Sequence, residues 1–432
     1  MPCYLFVWSL FVAGISLAVI IGGLLARSRF RSLPFWAVMA FASFIVVAGG
    51  LVPVDGLGQA VDIDVILFLI GMFSIVSLAE SSGLLDAVAY WFLARVGSVW
   101  RLFIVLSIVF GLLAAVTVND AVAVLGTVMV GSIARAAGLG LEPFLFMLAF
   151  SVTIGSVATP IGNPQNVLIA VQSGMKAPLL SFLRVLLLPS LINLLVIPLV
   201  LLKWFKISDK KLELLVIPGE AIRNRRDAMI AAIGLTSVVA LLLANDALSI
   251  AGLPHVENIG FIPFIVAAAT YIFVSDPRGI LEKVNWGTIV FFIAMFMTMK
   301  GVWSSGLLQP LVAVLMDKKL YGLEGITAIS VESLALSQLL SNVPFTQFFI
   351  QYMKTIGYTP SDVWAWLVLA CSSTIAGNLT LLGAASNIII MEVAEERYSK
   401  SLGFIEFAKL GTIVTAINMA IYLPFIYLAV YL

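Results

Sequence analysis

Charge is scarce in this sequence: Asp, Glu, Lys and Arg make up 11% of its 432 residues, against 62% hydrophobic residues. Ordinary soluble proteins carry about 25% charged and roughly 45–50% apolar residues, so a water-soluble globule is excluded. Neither sign dominates. The 24 basic and 23 acidic residues leave a net charge of +1, without the basic surplus that a nucleic-acid partner requires. Histidine is nearly absent: His255 stands in GLPHVENIG with no second ligand at metal spacing and reads as a loop residue. The two cysteines, Cys3 and Cys371, lie far apart, which gives neither a disulfide framework nor a thiolate cluster. No nucleotide-binding glycine loop of either common type occurs, so no cofactor is expected.

What the chain has instead is long apolar runs. A bilayer core of about 30 Å needs about 20 apolar helical residues. Ten segments qualify: 3–26, 33–53, 61–80, 143–172, 182–204, 227–244, 259–275, 286–303, 361–391 and 404–431. The first run lacks a basic region ahead of it and is too long for a signal peptide, so it is expected to remain as a membrane helix. Two further stretches, 101–135 and 325–353, carry polar breaks, VTVND and LSNVP. Their arms of about 15 residues, near 22 Å, are too short to cross, so both read as re-entrant hairpins. With hairpins there, most basic residues fall on one face, among them Arg27, Arg29, Arg31, Arg95, Arg101, Arg135, Lys203, Lys210, Arg225 and Arg397. The positive-inside rule makes that face cytoplasmic, in a plasma (inner) membrane, with both termini outside. Segment 84–96, too short to span, reads as an interfacial helix.

The halves repeat. VILFLIGMF at 65–73 returns as TIVFFIAMF at 288–296, SSGLL at 81–85 as SSGLL at 304–308, and Asn119 as Asn342, all at an offset of 223 residues. TPIGNPQN at 159–166 then returns as TLLGAASN at 380–387. The charge reading orients the copies oppositely. The expected fold is therefore an all-α polytopic membrane protein of about ten transmembrane helices plus two re-entrant hairpins in an inverted-topology repeat. Its parts are N-terminal helices (1–60), a first repeat (61–204) with hairpin 101–135 and broken helix 143–172, and a cytoplasmic linker (205–226). Connecting helices (227–284) and a second repeat (285–432) with hairpin 325–353 and broken helix 361–391 complete it.

The polar breaks carry the chemistry. Half-helix N-termini offer unpaired N–H groups and partial positive charge to an anion, while carbonyls and Asn, Ser and Thr oxygens can replace the hydration shell of Na⁺. The substrate- or ion-binding candidates are Thr117, Asn119, Asp120, Thr159, Gly162, Asn163, Gln165, Asn166, Ser341, Asn342, Thr346, Gly377, Asn378, Thr380, Gly383, Ser386 and Asn387. A sodium ion is expected near Asn119, Asp120 and Asn166, and near Asn342 and Asn387. Gly155, Ser156, Gly377 and Ser386 would equally serve helix packing. Asp120, matched by Val343 in the other copy, reads as a proton or cation carrier, or as the cap of an arm starting at Ala121. Glu80, Asp86, Lys300, Glu332 and Glu392 read as interfacial or scaffold residues, and Asp64 and Asn285 as caps of matching helices.

On VND at 118–120, TPIGNPQN at 159–166, SNVP at 341–344 and TLLGAASN at 380–387, the chain from about residue 60 onward resembles the ion transporter superfamily. That superfamily includes arsenite permeases, citrate permeases, sodium/proton antiporters and divalent-anion/sodium symporters. The resemblance implies that Asn119 and Asn342 face substrate and cation at the hairpin tips, with Gly162, Asn166, Gly383 and Asn387 in the helix breaks. It also implies an elevator-like movement and a homodimer. The first tip departs from the SNT of the sodium-coupled dicarboxylate branch, and its ND pair is closer to the arsenite-permease branch. The function expected is a secondary active permease, not an enzyme, moving a small inorganic or organic anion or oxyanion with sodium or a proton as coupling ion. Arsenite or antimonite efflux and sodium/proton antiport are the alternatives.

Overall fold

The long apolar runs become helices in a computed structural model that describes residues 3–29, 33–212, 218–314 and 316–430. Arg31 and linker residues 213–217 lie outside these, as do the side chains of Cys3, Arg27 and Arg29. The first half runs α1 (Cys3–Arg29), α2 (Phe35–Ala48), α3 (Leu57–Ala60), α4 (Ile63–Ser82), α5 (Leu84–Leu93), α6 (Val99–Val116), α7 (Asn119–Ala136), α8 (Glu142–Ser156), α9 (Pro164–Gln172) and α10 (Pro178–Trp204). The second runs α11 (Arg225–Ile250), α12 (Phe261–Phe273), α13 (Pro277–Glu282), α14 (Trp286–Ser305), α15 (Gln309–Val312), α16 (Gly322–Leu340), α17 (Asn342–Thr355), α18 (Val363–Ile375), α19 (Ala385–Tyr398) and α20 (Phe404–Ala429). Among the described residues the only extended pairing is one isolated bridge, Ser98 with Lys211.

Among the described residues, eight helices are long and apolar enough to cross a membrane, namely α1, α4, α6, α10, α11, α14, α16 and α20. This differs from the ten expected spans in an instructive way. Segments 33–53 and 259–275 form helices of only 14 and 13 residues, and 143–172 and 361–391 are interrupted as expected. The hairpin arms also correct the expectation. Both arms of the first have 18 residues, about 27 Å, and those of the second have 19 and 14. Arm length alone does not prevent crossing; the path of the chain does. Phe103, near the start of α6, packs on Phe144 in the first turn of α8, the helix that follows α7 after a short turn, with ring centroids 4.7 Å apart, so both arms return to one end of the bundle. At the base of the second hairpin, Tyr352 donates to Met316 O at 2.6 Å and Lys319 pairs with Asp362 at 2.7 Å.

The two bases lie at opposite ends. Arg135 at the end of α7 sits 5.2 Å over the Tyr398 ring, where α19 ends, whereas Pro360 beside the second base packs on Gly174, just past α9. Both α9 and α19 start at the breaks, so the hairpins enter from opposite ends and their tips approach one another. Matching ends confirm the repeat. Asp62 caps α4 by accepting from Val65 N, Asn285 caps α14 by accepting from Thr288 N, and left-handed Gly83 and Gly306 end the two helices. Asp64, expected as the first cap, instead lies in the first turn and accepts from Gly260 N at 2.7 Å. The offset of 223 residues from Asn285 does lead to Asp62. The halves are also interlocked: α2 packs along α14, and α12 along α4.

Helices α8 and α18 are buried nearly all round, as an all-apolar helix must be in the middle of a bundle. Where α6 crosses α8, a side chain on Gly155 would run into the Gly111 carbonyl, so Gly155 serves close packing.

Candidate functional site

Helix breaks free backbone carbonyls that water cannot reach, and side chains of this protein take them up. Asn166 donates through Nδ2 to Ser156 O at 2.9 Å and Thr159 O at 3.2 Å. In the second copy, Asn387 donates to Gly377 O at 2.7 Å and Thr380 O at 3.4 Å. The same amide thus spans the same break in both halves. Thr159 donates to Ala115 O at 2.5 Å and accepts from Gly162 N at 3.1 Å, which ties the break to the end of α6. Asn119 N donates to Gly162 O at 3.0 Å, fastening the hairpin tip to the same turn. Thr117 closes α6 by donating to Leu113 O at 2.6 Å. In the second half, Thr380 donates to Gln338 Oε1 at 2.9 Å, and Asn378 to Asn418 Oδ1 at 3.2 Å. These candidates build the breaks.

The second tip is sharper than a helix end alone requires. Ser341 adopts φ 68° and ψ 158°, a region essentially reserved for glycine. α7 starts at Asn119 with Val118 as its cap, so Asp120 lies in the first turn and is not the cap of an arm starting at Ala121. Asn163 caps α9 by accepting from Gln165 N at 3.0 Å, with Pro164 in the first helical position.

Four half-helices, α7, α9, α17 and α19, begin around one cavity of about 430 Å³. Of the expected site residues, Asn119, Asp120, Asn163, Gln165, Ser341 and Asn342 line it. Thr117, Thr159, Gly162, Asn166, Thr346, Gly377, Asn378, Thr380, Gly383, Ser386 and Asn387 do not line it. Two lining groups stand out. The side-chain oxygens of Asn119 and Asn342 are buried without a hydrogen-bond partner, one in each copy. Each helix N-terminus contributes the equivalent of about half a positive charge. Among the described residues the lining holds no Lys or Arg, and its charged residues are Asp120 and Glu392.

Glu392, expected as a scaffold residue, therefore belongs to the cavity, seven residues and about two turns beyond Ala385, which also lines it. Asn285 and Thr288 of α14 and the segment Leu33–Trp36 line it as well. Helical spacing from the break could have found Glu392. Nothing in the sequence points to the segment before α2.

The donor set suits a hard cation, which takes oxygen ligands. Asn387 Oδ1 and Ser386 Oγ are buried without partners behind the second tip, whereas Asn166 Oδ1 already accepts from Thr374 Oγ1 at 3.3 Å and has less capacity for a ligand. Among the described residues there is no cluster of His, Cys, Asp and Glu that could hold a metal. A second cavity of about 500 Å³ opens at the other end of the bundle, lined by Asp62, Asp64, Gln172, Lys300, Gln347 and Gln351. Lys300, expected at an interface, thus lines a cavity. Trp303 and Phe348, with ring centroids 5.5 Å apart, line this second cavity and not the first.

The citrate transporter family model matches residues 15–371. An uncharacterized transporter of Mycobacterium tuberculosis is 26% identical over 389 residues, covering 84% of this chain and 85% of its own. The silicon efflux transporter LSI3 of Oryza sativa subsp. japonica is 29% identical over 377 residues, covering 74% of this chain and 77% of its own. Among solved structures, the YdaH transporter of Alcanivorax borkumensis shares the fold, with a TM-score of 0.51 at 15% identity, covering 84% of each chain.

Proposed function

Because the chain belongs to the citrate transporter family of membrane transporters, we propose that it is a secondary active permease for a small anion or oxyanion, driven by a proton or sodium gradient. One observation carries this reading. Asn119 and Asn342, each with a buried side-chain oxygen that has no partner, both line a cavity where four half-helices begin. N–H groups and partial positive charge at those helix ends receive acceptor oxygens of a solute, and the two Asn side chains receive its hydroxyls or a coupling cation. Among the described lining residues the hydrogen-bonding groups are mostly neutral, from Asn119, Asn163, Gln165, Thr288, Ser341 and Asn342.

The neutral Asn, Gln, Ser and Thr groups of the described lining also suit a second reading, efflux of an uncharged metalloid oxyacid such as arsenous acid, and a relative named for silicon efflux supports it. Sodium/proton antiport through Asp120 is the third. On the positive-inside rule the end bearing Arg95, Arg101, Arg135 and Lys203 faces the cytoplasm. The cavity, lined there by Asn285 at the start of α14, then opens inward. Alternating access follows an elevator-like movement of the hairpins and broken helices against α1–α2, α4, α11–α12 and α14, in a homodimer.

The test is uptake into proteoliposomes. Phosphate, sulfate, dicarboxylates, citrate and arsenite are offered in turn under imposed sodium and proton gradients. Gradient-driven accumulation of one small oxyanion or oxyacid is expected, whereas leak-level flux for the whole panel would overturn the reading. Asp120→Asn separates the third reading: cation exchange without any solute, abolished by this change, would establish antiport.

A further inference from the structure

Glu332 lies in α16, nine residues before the strained tip residue Ser341, which places it about 14 Å along the arm from the tip. It is 1% exposed, and neither carboxylate oxygen has a hydrogen-bond partner. Among the described residues no cation offsets this burial. The residue at the same register of the first hairpin is Val109, 2% exposed, so a carboxyl is not what the hairpin fold demands there.

Its surroundings are apolar or already committed. Tyr352 faces it from α17 and Tyr358 from the turn that follows, but their hydroxyls donate to Met316 O at 2.6 Å and Leu320 O at 2.9 Å. Asp317 lies near Tyr352, and Lys319 is held by Asp362 at 2.7 Å. Lys354, also on α17, feels Asp62. From α18 the titratable group is the buried thiol of Cys371, and from α20 Tyr422 is turned to Ser190 at 2.7 Å. Glu406 and Lys409 of α20 lie at the far end of the bundle, beside Trp204. Among the described side chains of α1 none carries a charge.

An ionised carboxylate is not sustained in such a place, because both oxygens would lose their solvation with nothing to replace it. A carboxylic acid is sustained, since it is neutral. The group therefore exchanges a proton with water only when the second hairpin moves far enough to wet it, and reburial requires that the proton be bound again. We propose that Glu332 is a proton-binding site that couples movement of the second hairpin to the proton gradient, so that the solute moves together with a proton. The coupling half of this rests on the permease reading above; the protonation half does not. The step itself is a proton bound from water at one carboxyl oxygen and returned to water from the same oxygen, with no other bond made or broken.

Two measurements test it. Infrared difference spectra of the purified protein at pH 7 compare the wild type with Glu332→Gln, and a protonated-carboxyl C=O band is expected in the wild type and missing from the variant. In proteoliposomes, proton-driven uptake is expected to fall at least roughly tenfold in Glu332→Gln. Glu332→Asp, which restores a titratable group, should recover part of it with a displaced pH profile. Identical infrared spectra, or full proton-driven uptake in Glu332→Gln with the wild-type pH profile, would overturn the proposal. Wild-type flux driven by sodium alone also overturns it, while leaving the permease reading in place. If no solute of the panel moves, the permease reading falls, and the infrared band by itself decides whether Glu332 holds a proton.

Discussion

Gln165 donates through Nε2 to the Thr374 hydroxyl at 2.7 Å, and so binds the first broken helix to the second. It also donates to Ser373 Oγ at 3.0 Å, and the Thr374 hydroxyl in turn donates to Asn166 Oδ1 at 3.3 Å. Gln165→Ala removes two buried bonds and should cost about 1–3 kcal/mol. A lower Tm of the detergent-purified protein is the readout. Because Gln165 also lines the cavity, KM for the solute should rise with it.

Asn119→Ala and Asn342→Ala should behave differently. Each removes an oxygen that has no partner, so the fold loses little and Tm should stay near the wild-type value. Uptake should fall at least roughly tenfold, as expected when a contact to the bound solute is lost. Loss of folded protein in either variant would show that these amides are structural.

Asn166→Ala and Asn387→Ala should give the reverse signature. Each strands two buried carbonyls of a helix break, at a cost of about 1–3 kcal/mol, seen as a lower Tm. An unchanged Tm would mean that the breaks do not need their amide braces.

Ser341 holds a backbone conformation that costs of order 1–3 kcal/mol for any residue with a side chain. Ser341→Gly should raise Tm by relieving that strain, and Ser341→Val should lower it. A Gly variant no more stable than the wild type would argue against stored strain at the tip.

Acid sensitivity should arise at the base of the second hairpin. Burial pushes the Asp362 carboxyl up, but Lys319 Nζ at 2.7 Å, the Thr359 backbone N–H at 2.7 Å and the Thr359 hydroxyl at 2.8 Å outweigh it and hold the carboxyl below its usual 3.8. A carboxylate depressed in this way contributes stability that is complete above pH 3.8 and is lost as pH falls through the lower folded value. Asp362→Asn should lower Tm at neutral pH, by an amount equivalent to about 1 kcal/mol, and flatten the acid limb of the Tm profile. A variant with the wild-type acid limb would place the sensitivity elsewhere.

Much of the architecture was legible beforehand, and for physical reasons. Apolar runs of membrane length, polar breaks inside them, and recurrence at an offset of 223 residues are all one-dimensional properties. They located α4 and α14, both hairpins and both broken helices. The offset also contained a correction that pattern alone passed over, since it pairs Asn285 with Asp62 as the cap of α4.

Polarity and spacing thus determined which helices must break, and which Asn, Gln, Ser and Thr residues sit in the breaks. Only the packed structure decided what each of them does. Asn119 and Asn166 are alike on paper, yet one lines a cavity with its side-chain oxygen unpartnered and the other closes a gap in its own backbone. Glu332 and Glu392 were likewise indistinguishable from interfacial acids until one lay sealed inside the second hairpin and the other on the cavity wall. The reason is that a buried polar group acquires its role from the partner it finds or fails to find. That partner comes from another helix, at a distance no local pattern encodes.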